Sequence, residues 1–228
     1  MKRIKKNAYR LCALALSLLL AAALLPATPA LADGEDGVIH IASAEDLEEV
    51  ARSCTLDSWS RGKTVVLDAD LTLESADYLP IPTFGGKFDG KGHTIRTLSL
   101  TDSLSPAGLF GVLQEGGSIS DLNVEGSVTP EGDSEKVGGI VGENYGTVAG
   151  CTFTGTVSGK RSVGGIAGEN AAAGVIRACT SSGAVFGENM TGGIAGCNSG
   201  SLLACRNGAY VNIESTDPAI DLENLDLT

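Results

Sequence analysis

The side chains able to do chemistry are few. The chain has two histidines, His40 and His93. A zinc peptidase of the HExxH type needs two histidines one helical turn apart, and these two stand on separate strand segments. No GxSxG nucleophile elbow occurs. A histidine-based triad would have to use His40 or His93, and nothing in the sequence sets Ser and Asp beside either. His93 follows a glycine turn and reads as a turn or surface residue. Gly85-x4-Gly90-Lys91 has the spacing of a phosphate-binding loop, which then requires Ser or Thr and a helix. Residue 92 is Gly and the following HTIRTLSL alternates as a strand, so that reading is rejected. Asp89-Gly90 is instead a turn between short strands. Asp68, Asp70 and Asp89 are the nearest group of carboxylates. No catalytic, cofactor-binding or metal-ligating residue is assigned.

What must position these residues is a repeat. Val137–Val157, Val163–Val185 and Thr191–Val211 share one pattern, and Ala107–Val128 is a looser copy. Aligned columns run Ile119, Val148, Ile176, Leu202; then Leu122, Cys151, Cys179, Cys205; then Val124, Phe153, Ser181, Asn207. Gly126, Gly155, Gly183, Ala209 and Val128, Val157, Val185, Val211 follow. After the first step the spacing is two, the side-chain period of a strand; the opening step of three suggests a corner. Ile95, Leu98 and Leu100 fit the same template as Ile119, Leu122 and Val124. Successive copies start 24, 29, 28 and 26 residues apart, counted from Ile95 through Leu202.

No long 3.6-residue period is present, so helical repeats are excluded. Short strands broken by glycine favour a coil in which each repeat makes one turn and like stacks on like. The expected fold is an all-β, right-handed parallel β-helix of five or six turns, with a short N-terminal capping helix. The hand follows from the crossover rule. The pairs Gly138-Gly139, Gly164-Gly165 and Gly192-Gly193 are expected at bends needing positive φ. Asn144, Asn170 and Asn198 share one position and can bond along a stack. Cys151, Cys179 and Cys205 read as small core residues, because a bridge between in-register neighbours is strained. Cys54 and Cys197 lie outside that column. Ser181 and Asn207 place polar groups where an interior is expected.

GGIVGENYGTVAGCTFTGTVSG and its partner segments resemble the GLUG repeat of bacterial surface proteins, over about residues 107–211. FGGKFDGKGHTIRTLSL resembles the opening turns of right-handed parallel β-helices of the pectate-lyase type. The resemblance implies a secreted or wall-associated β-helix, in some cases joined to an IgA-cleaving zinc peptidase, and brings no catalytic residues with it. Some β-helix proteins cleave acidic polysaccharides with calcium-binding carboxylates and a basic residue that removes a proton. Asp68, Asp70 and Asp89 are the carboxylates such a calcium-dependent lyase would use here. Arg177 aligns with Leu203 and Arg206 with Thr180 and Thr152, so the arginines form no column. The expected function is therefore an adhesin, stalk or ligand-presenting scaffold, and the lyase is the alternative. Thr152, Thr154 and Thr156 on outward positions could present hydroxyls to a glycan, though threonine also simply favours exposed strands.

The rest of the chain frames this module. Residues 1–32 have the form of a signal peptide: a basic start, the apolar run Leu11–Leu25 and Ala30-Leu31-Ala32 as cleavage site. Its five basic residues and no acidic ones would leave 11 positive and 28 negative charges, a net of −17. Such a chain repels nucleic acid and anionic lipid. The segment 33–62 holds a strand at Val38–Ile41 and a helix capped by Ser43, with Leu47, Val50, Ala51 and Cys54 on one stripe. That helix is expected to cover the open end of the β-helix, which itself occupies 63–211. EGDSEK at 131–136 is expected as a projecting loop. Residues 212–228 form an acidic tail, read as a linker to further repeats or domains. The expected partners are glycans or host and envelope surface proteins, with no cofactor and no membrane insertion once the leader is removed. The expected location is secreted or at the cell surface.

Overall fold

The computed structural model describes residues 37–73 and 79–212. The proposed leader at 1–32 and residues 213–228 of the acidic tail lie outside the described residues. The repeat becomes one turn of a parallel β-solenoid of about six turns. Each turn lays a strand on three sheets in succession. The turn that starts at Thr147–Ala149 on the first sheet continues with Thr152–Gly164 on the second and Ala167–Asn170 on the third. Val175–Arg177 then begins the next turn, directly beside the strand it repeats. Every strand pair described is parallel, so each turn's backbone groups bond to the turns on either side.

The columns read from the repeat are the real stacking columns. On the first sheet Ile39, Val65, Phe88, Ile119, Val148, Ile176 and Leu202 are successive partners. On the second, Val124, Phe153, Ser181 and Asn207 stack, as do Val128, Val157, Val185 and Val211. Near the beginning, Phe84, Phe88 and Phe110 from two sheets meet edge to face, with centroids 5.2 to 6.2 Å apart.

The segment 94–100 departs from the expected register. Ile95 pairs with Val124 and Leu100 with Val128, so it belongs to the second sheet, and Phe88 is the partner of Ile119. The same three-residue step has two origins. Between Ile119 and Leu122 it is a corner, with Asp121 at φ +50°. Between Ile95 and Leu98 it is an irregularity in the ladder, with Thr97 at φ +59°. A spacing pattern cannot tell a corner from a bulge. The acidic excursion is also shorter than expected. Strand resumes at Glu135, and Glu135–Gly138 pairs with the far half of Thr152–Gly164.

The paired glycines serve space rather than φ. None of the six has a positive φ. A Cβ on Gly138 would strike the Val141 carbonyl, and one on Gly139 would strike the Phe153 ring. Gly165 faces Ser181 and Gly193 faces Asn207 in the same way. Positive φ belongs instead to Gly126, Gly155 and Gly183, at 152°, 151° and 102°.

The helix spans Ala44–Ser53 and starts as its sequence requires. Ser43 accepts from the Asp46 amide, and the Asp46 carboxylate accepts from the Ser43 amide. Leu47, Val50, Ala51 and Cys54 are all buried. The helix lies against Val38–Ile41 and Ile81–Phe84, the leading strands of the first and third sheets. It covers two strand edges that would otherwise meet water.

Candidate functional site

The residues with chemical potential fall into two charged clusters at the start of the solenoid. His40 lies on the outward side of the first strand, and its Nδ1 is 2.6 Å from Asp68 Oδ2. Lys91 Nζ donates to the other oxygen of Asp68 at 3.2 Å. One sheet over, Asp70 accepts from the Thr94 amide at 3.0 Å and from Arg96 at 3.0 Å, with His93 Nδ1 at 3.1 Å. Arg96 also reaches Glu125 at 3.7 Å. The Thr94 amide, Arg96 and His93 together hold the Asp70 carboxyl down to about 2. His40, followed by Lys91, lowers that of Asp68.

Asp68 and Asp70 are thus neutralised by separate sets of cations. Asp89 turns its carboxylate to the Lys91 amide at 2.9 Å, closing a local turn. The three carboxylates of the lyase reading do not converge. Among the described residues no group of three or more His, Cys, Asp or Glu side chains is placed to share a metal ion. Both histidines are partners of aspartates, and among the described residues neither has a Ser hydroxyl on its other ring nitrogen. The arginines lie as read: Arg177 pairs with Leu203 on the first sheet, Arg206 with Thr180 on the second.

The outward face of the second sheet carries a polar grid. Asn123, Thr152, Thr180 and Arg206 form one row, and Glu125, Thr154, Ser182 and Gly208 the next. Ser127, Thr156, Ala184 and Tyr210 form a third. The hydroxyls of Thr154 and Ser182 bond to each other at 3.0 Å. The spacing within each row is that of the ladder itself, about 4.8 Å.

A third cluster escaped sequence reading. Glu143 and Glu169 are direct ladder partners on the third sheet. Lys136 bridges them, at 2.6 Å and 3.1 Å, and the Tyr145 hydroxyl donates to Glu143 at 2.6 Å. Hydrogen bonding to Glu143 raises Lys136 above the ordinary lysine range. The signal was the Glu before each of Asn144 and Asn170; Lys136, across an excursion, gave none. Those asparagines form a buried amide ladder. Asn144 donates to Asn170 and Asn170 to Asn198, each at 2.7 Å.

All five described cysteines are free thiols. Cys151 and Cys179 stack in the core and point at carbonyls of their own and the neighbouring turn. The adjacent Cys179 thiol and burial hold Cys151 well above the thiol range, and burial pushes Cys54 up to about 12. Neither offers a thiolate at neutral pH.

Parallel pairing throughout, an asparagine ladder and recurrent glycines opposite large inward side chains define a β-solenoid of stacked glycine-rich turns. Residues 133–158 match the family described as the GLUG motif. The chain is a GLUG-motif repeat protein on a parallel β-solenoid. Halomucin of Haloquadratum walsbyi (strain DSM 16790 / HBSQ001) is 34% identical over 142 residues, covering 57% of this chain. The aligned stretch is 2% of halomucin, so the chain spans a small fraction of that relative. No solved structure matches the chain.

Proposed function

We propose that the chain is a surface-associated or secreted repeat module, working as a rigid scaffold that presents the polar face of its second sheet. The observation that carries this is the grid of Asn123, Thr152, Thr154, Thr156, Thr180 and Ser182, held in register by unbroken ladders. A flat array of hydroxyls at fixed spacing can bond to glycan hydroxyls without rearranging, so little ordering entropy opposes contact. The similarity to a protein named as a mucin, and the leader-like residues 1–32, support a setting outside the cell. That relative comes from an archaeon, so the similarity does not point to a bacterial setting.

Two measurements test the reading. Protease shaving of intact cells, followed by immunodetection, should remove the protein from the surface fraction. A signal confined to the cytoplasm would refute the location. The full chain should then be passed over immobilised neutral and acidic polysaccharides and mucin, with and without calcium. Retention without fragment release supports the scaffold. Calcium-dependent release of unsaturated fragments would replace it with a lyase.

A further inference from the structure

A cleft of about 150 Å³ opens on the side of the first turns, lined by Gly62, Lys63, Thr64, Gly85, Gly86, Lys87 and Gly116. It exists because its walls lack side chains. A Cβ on Gly86 would strike the backbone carbonyls of Ser60 and Lys63, so the floor must be bare backbone. Gly62 and Gly116 sit at φ +76° and +80° as turn tips, with nothing within 4 Å of where a Cβ would be. The two lysines come from adjacent turns, because Lys87 pairs with Thr64 in the first sheet. Lys87 is exposed and makes no ion pair or side-chain hydrogen bond among the described residues. Lys63 Nζ lies 5.3 Å from the ring centroid of Trp59, the single tryptophan of the chain.

The cleft is braced. Arg61 Nε donates to Gln114 Oε1 at 2.8 Å, and Gln114 Nε2 donates to the Asp57 carbonyl and to Thr83 Oγ1, both at 2.9 Å. The loop 57–61 is thereby tied to the third sheet. Arg61 adds a third positive charge beside the lining, and Asp57 and Glu115 are the carboxylates in the segments that form it. In a chain of net charge −12, three cations around a glycine-floored cleft form a local positive field.

We propose that this cleft binds the sulfate or carboxylate group of an acidic polysaccharide, with Lys63 and Lys87 on the anion and Trp59 beside the sugar. Bare backbone lets the anion approach closely. Two ammonium groups on neighbouring turns favour an oxyanion over a neutral sugar. The Trp59 ring, beside Lys63, offers an apolar face to a pyranose. The site goes beyond the scaffold reading and stands whether or not the second-sheet face binds glycan.

Trp59 supplies the readout. The full chain is titrated with heparin, polygalacturonate and neutral dextran, following tryptophan emission and retention on the same immobilised polymers. Heparin or polygalacturonate should give a saturable emission change and retention, and dextran neither. The polymer that works separates sulfate from carboxylate. Lys87→Glu should weaken the apparent affinity tenfold or more and leave Lys63 over the ring. Arg177→Gln, several turns away, should change nothing. No binding of either charged polymer would overturn the site. So would binding without a Trp59 response, or equal weakening by Arg177→Gln, which would mark diffuse charge attraction. Loss on Thr154→Val with no loss on Lys87→Glu would place the contact on the second-sheet face instead.

Discussion

Single residues carry two tests. Ser181 is fully buried and its hydroxyl has no hydrogen-bond partner among the described residues, in a column that runs Val124, Phe153, Ser181, Asn207. A buried hydroxyl without a partner costs about 1–3 kcal/mol. Ser181→Ala removes it with little change in volume, so chemical denaturation should show stabilisation of roughly 1 kcal/mol or more. A loss of stability would mean that the hydroxyl is bonded after all. Asp70 tests the charged clusters. Its carboxyl is held to about 2 against an ordinary value of 3.8, first by the Thr94 amide and then by Arg96 and His93. A depressed folded value means its contribution is present above about pH 4 and is lost as pH falls towards 2. The melting temperature should drop across that window, and Asp70→Asn should flatten the drop. An unchanged acid profile in the variant would remove Asp70 from the account. The sequence showed Asp68, Asp70 and Asp89 as one acidic group. It could not show that each already faces its own cation or amide: the partners of Asp68 and Asp70 come from neighbouring turns, and that of Asp89 from its own tight turn.

Elements test the register. Phe153 is 1% exposed and its ring lies over Gly139, in the bend between Glu135–Gly138 and Val141–Asn144. Phe153→Ala should cost on the order of 3–5 kcal/mol in denaturant unfolding. A loss near zero would show that the ring does not fill the interior. Gly155 has φ +151° and stacks on Gly126, whose carbonyl a Cβ would strike. Gly155→Ala should therefore destabilise by on the order of 3 kcal/mol, through strain and overpacking together. A neutral outcome would mean the strand can slide outward there. The columns at Ile119, Val148 and Ile176 were legible because every copy repeats one pattern and strand spacing is two. The placement of Ile95 was not, because a bulge and a corner leave the same i, i+3, i+5 trace. The role of the paired glycines was hidden for a different reason. Sequence shows that a side chain is missing but not whether torsion or a neighbour's bulk forbids it. The Lys63–Lys87 cleft was equally silent, since its two lysines stand 24 residues apart with no shared motif.

At the scale of the whole molecule the two ends of the described solenoid differ. At the start, the helix buries Leu47 and Val50 against the first and third sheets, over a cluster of phenylalanines. At the far end the core thins: Phe153 gives way to Ser181 and then Asn207, and Leu202, in the column of buried Val148 and Ile176, is 39% exposed. In a stack where each turn touches only its neighbours, stability is a sum of local terms and opening begins where they are weakest. Amide exchange should therefore be fastest in Ala195–Asn198, Ser201–Leu203 and Arg206–Val211. It should be slowest in Asn123–Val128 and the first half of Thr152–Gly164. Leu47→Ala should cost about 2–5 kcal/mol at its site. Under nearest-neighbour coupling it should speed exchange mainly in Val38–Ile41, Thr64–Leu67 and Ile81–Phe84, and leave the last turns as they were. A uniform rise across all turns would mean that the solenoid opens as one cooperative unit, and that the helix secures the whole stack rather than the turns it touches.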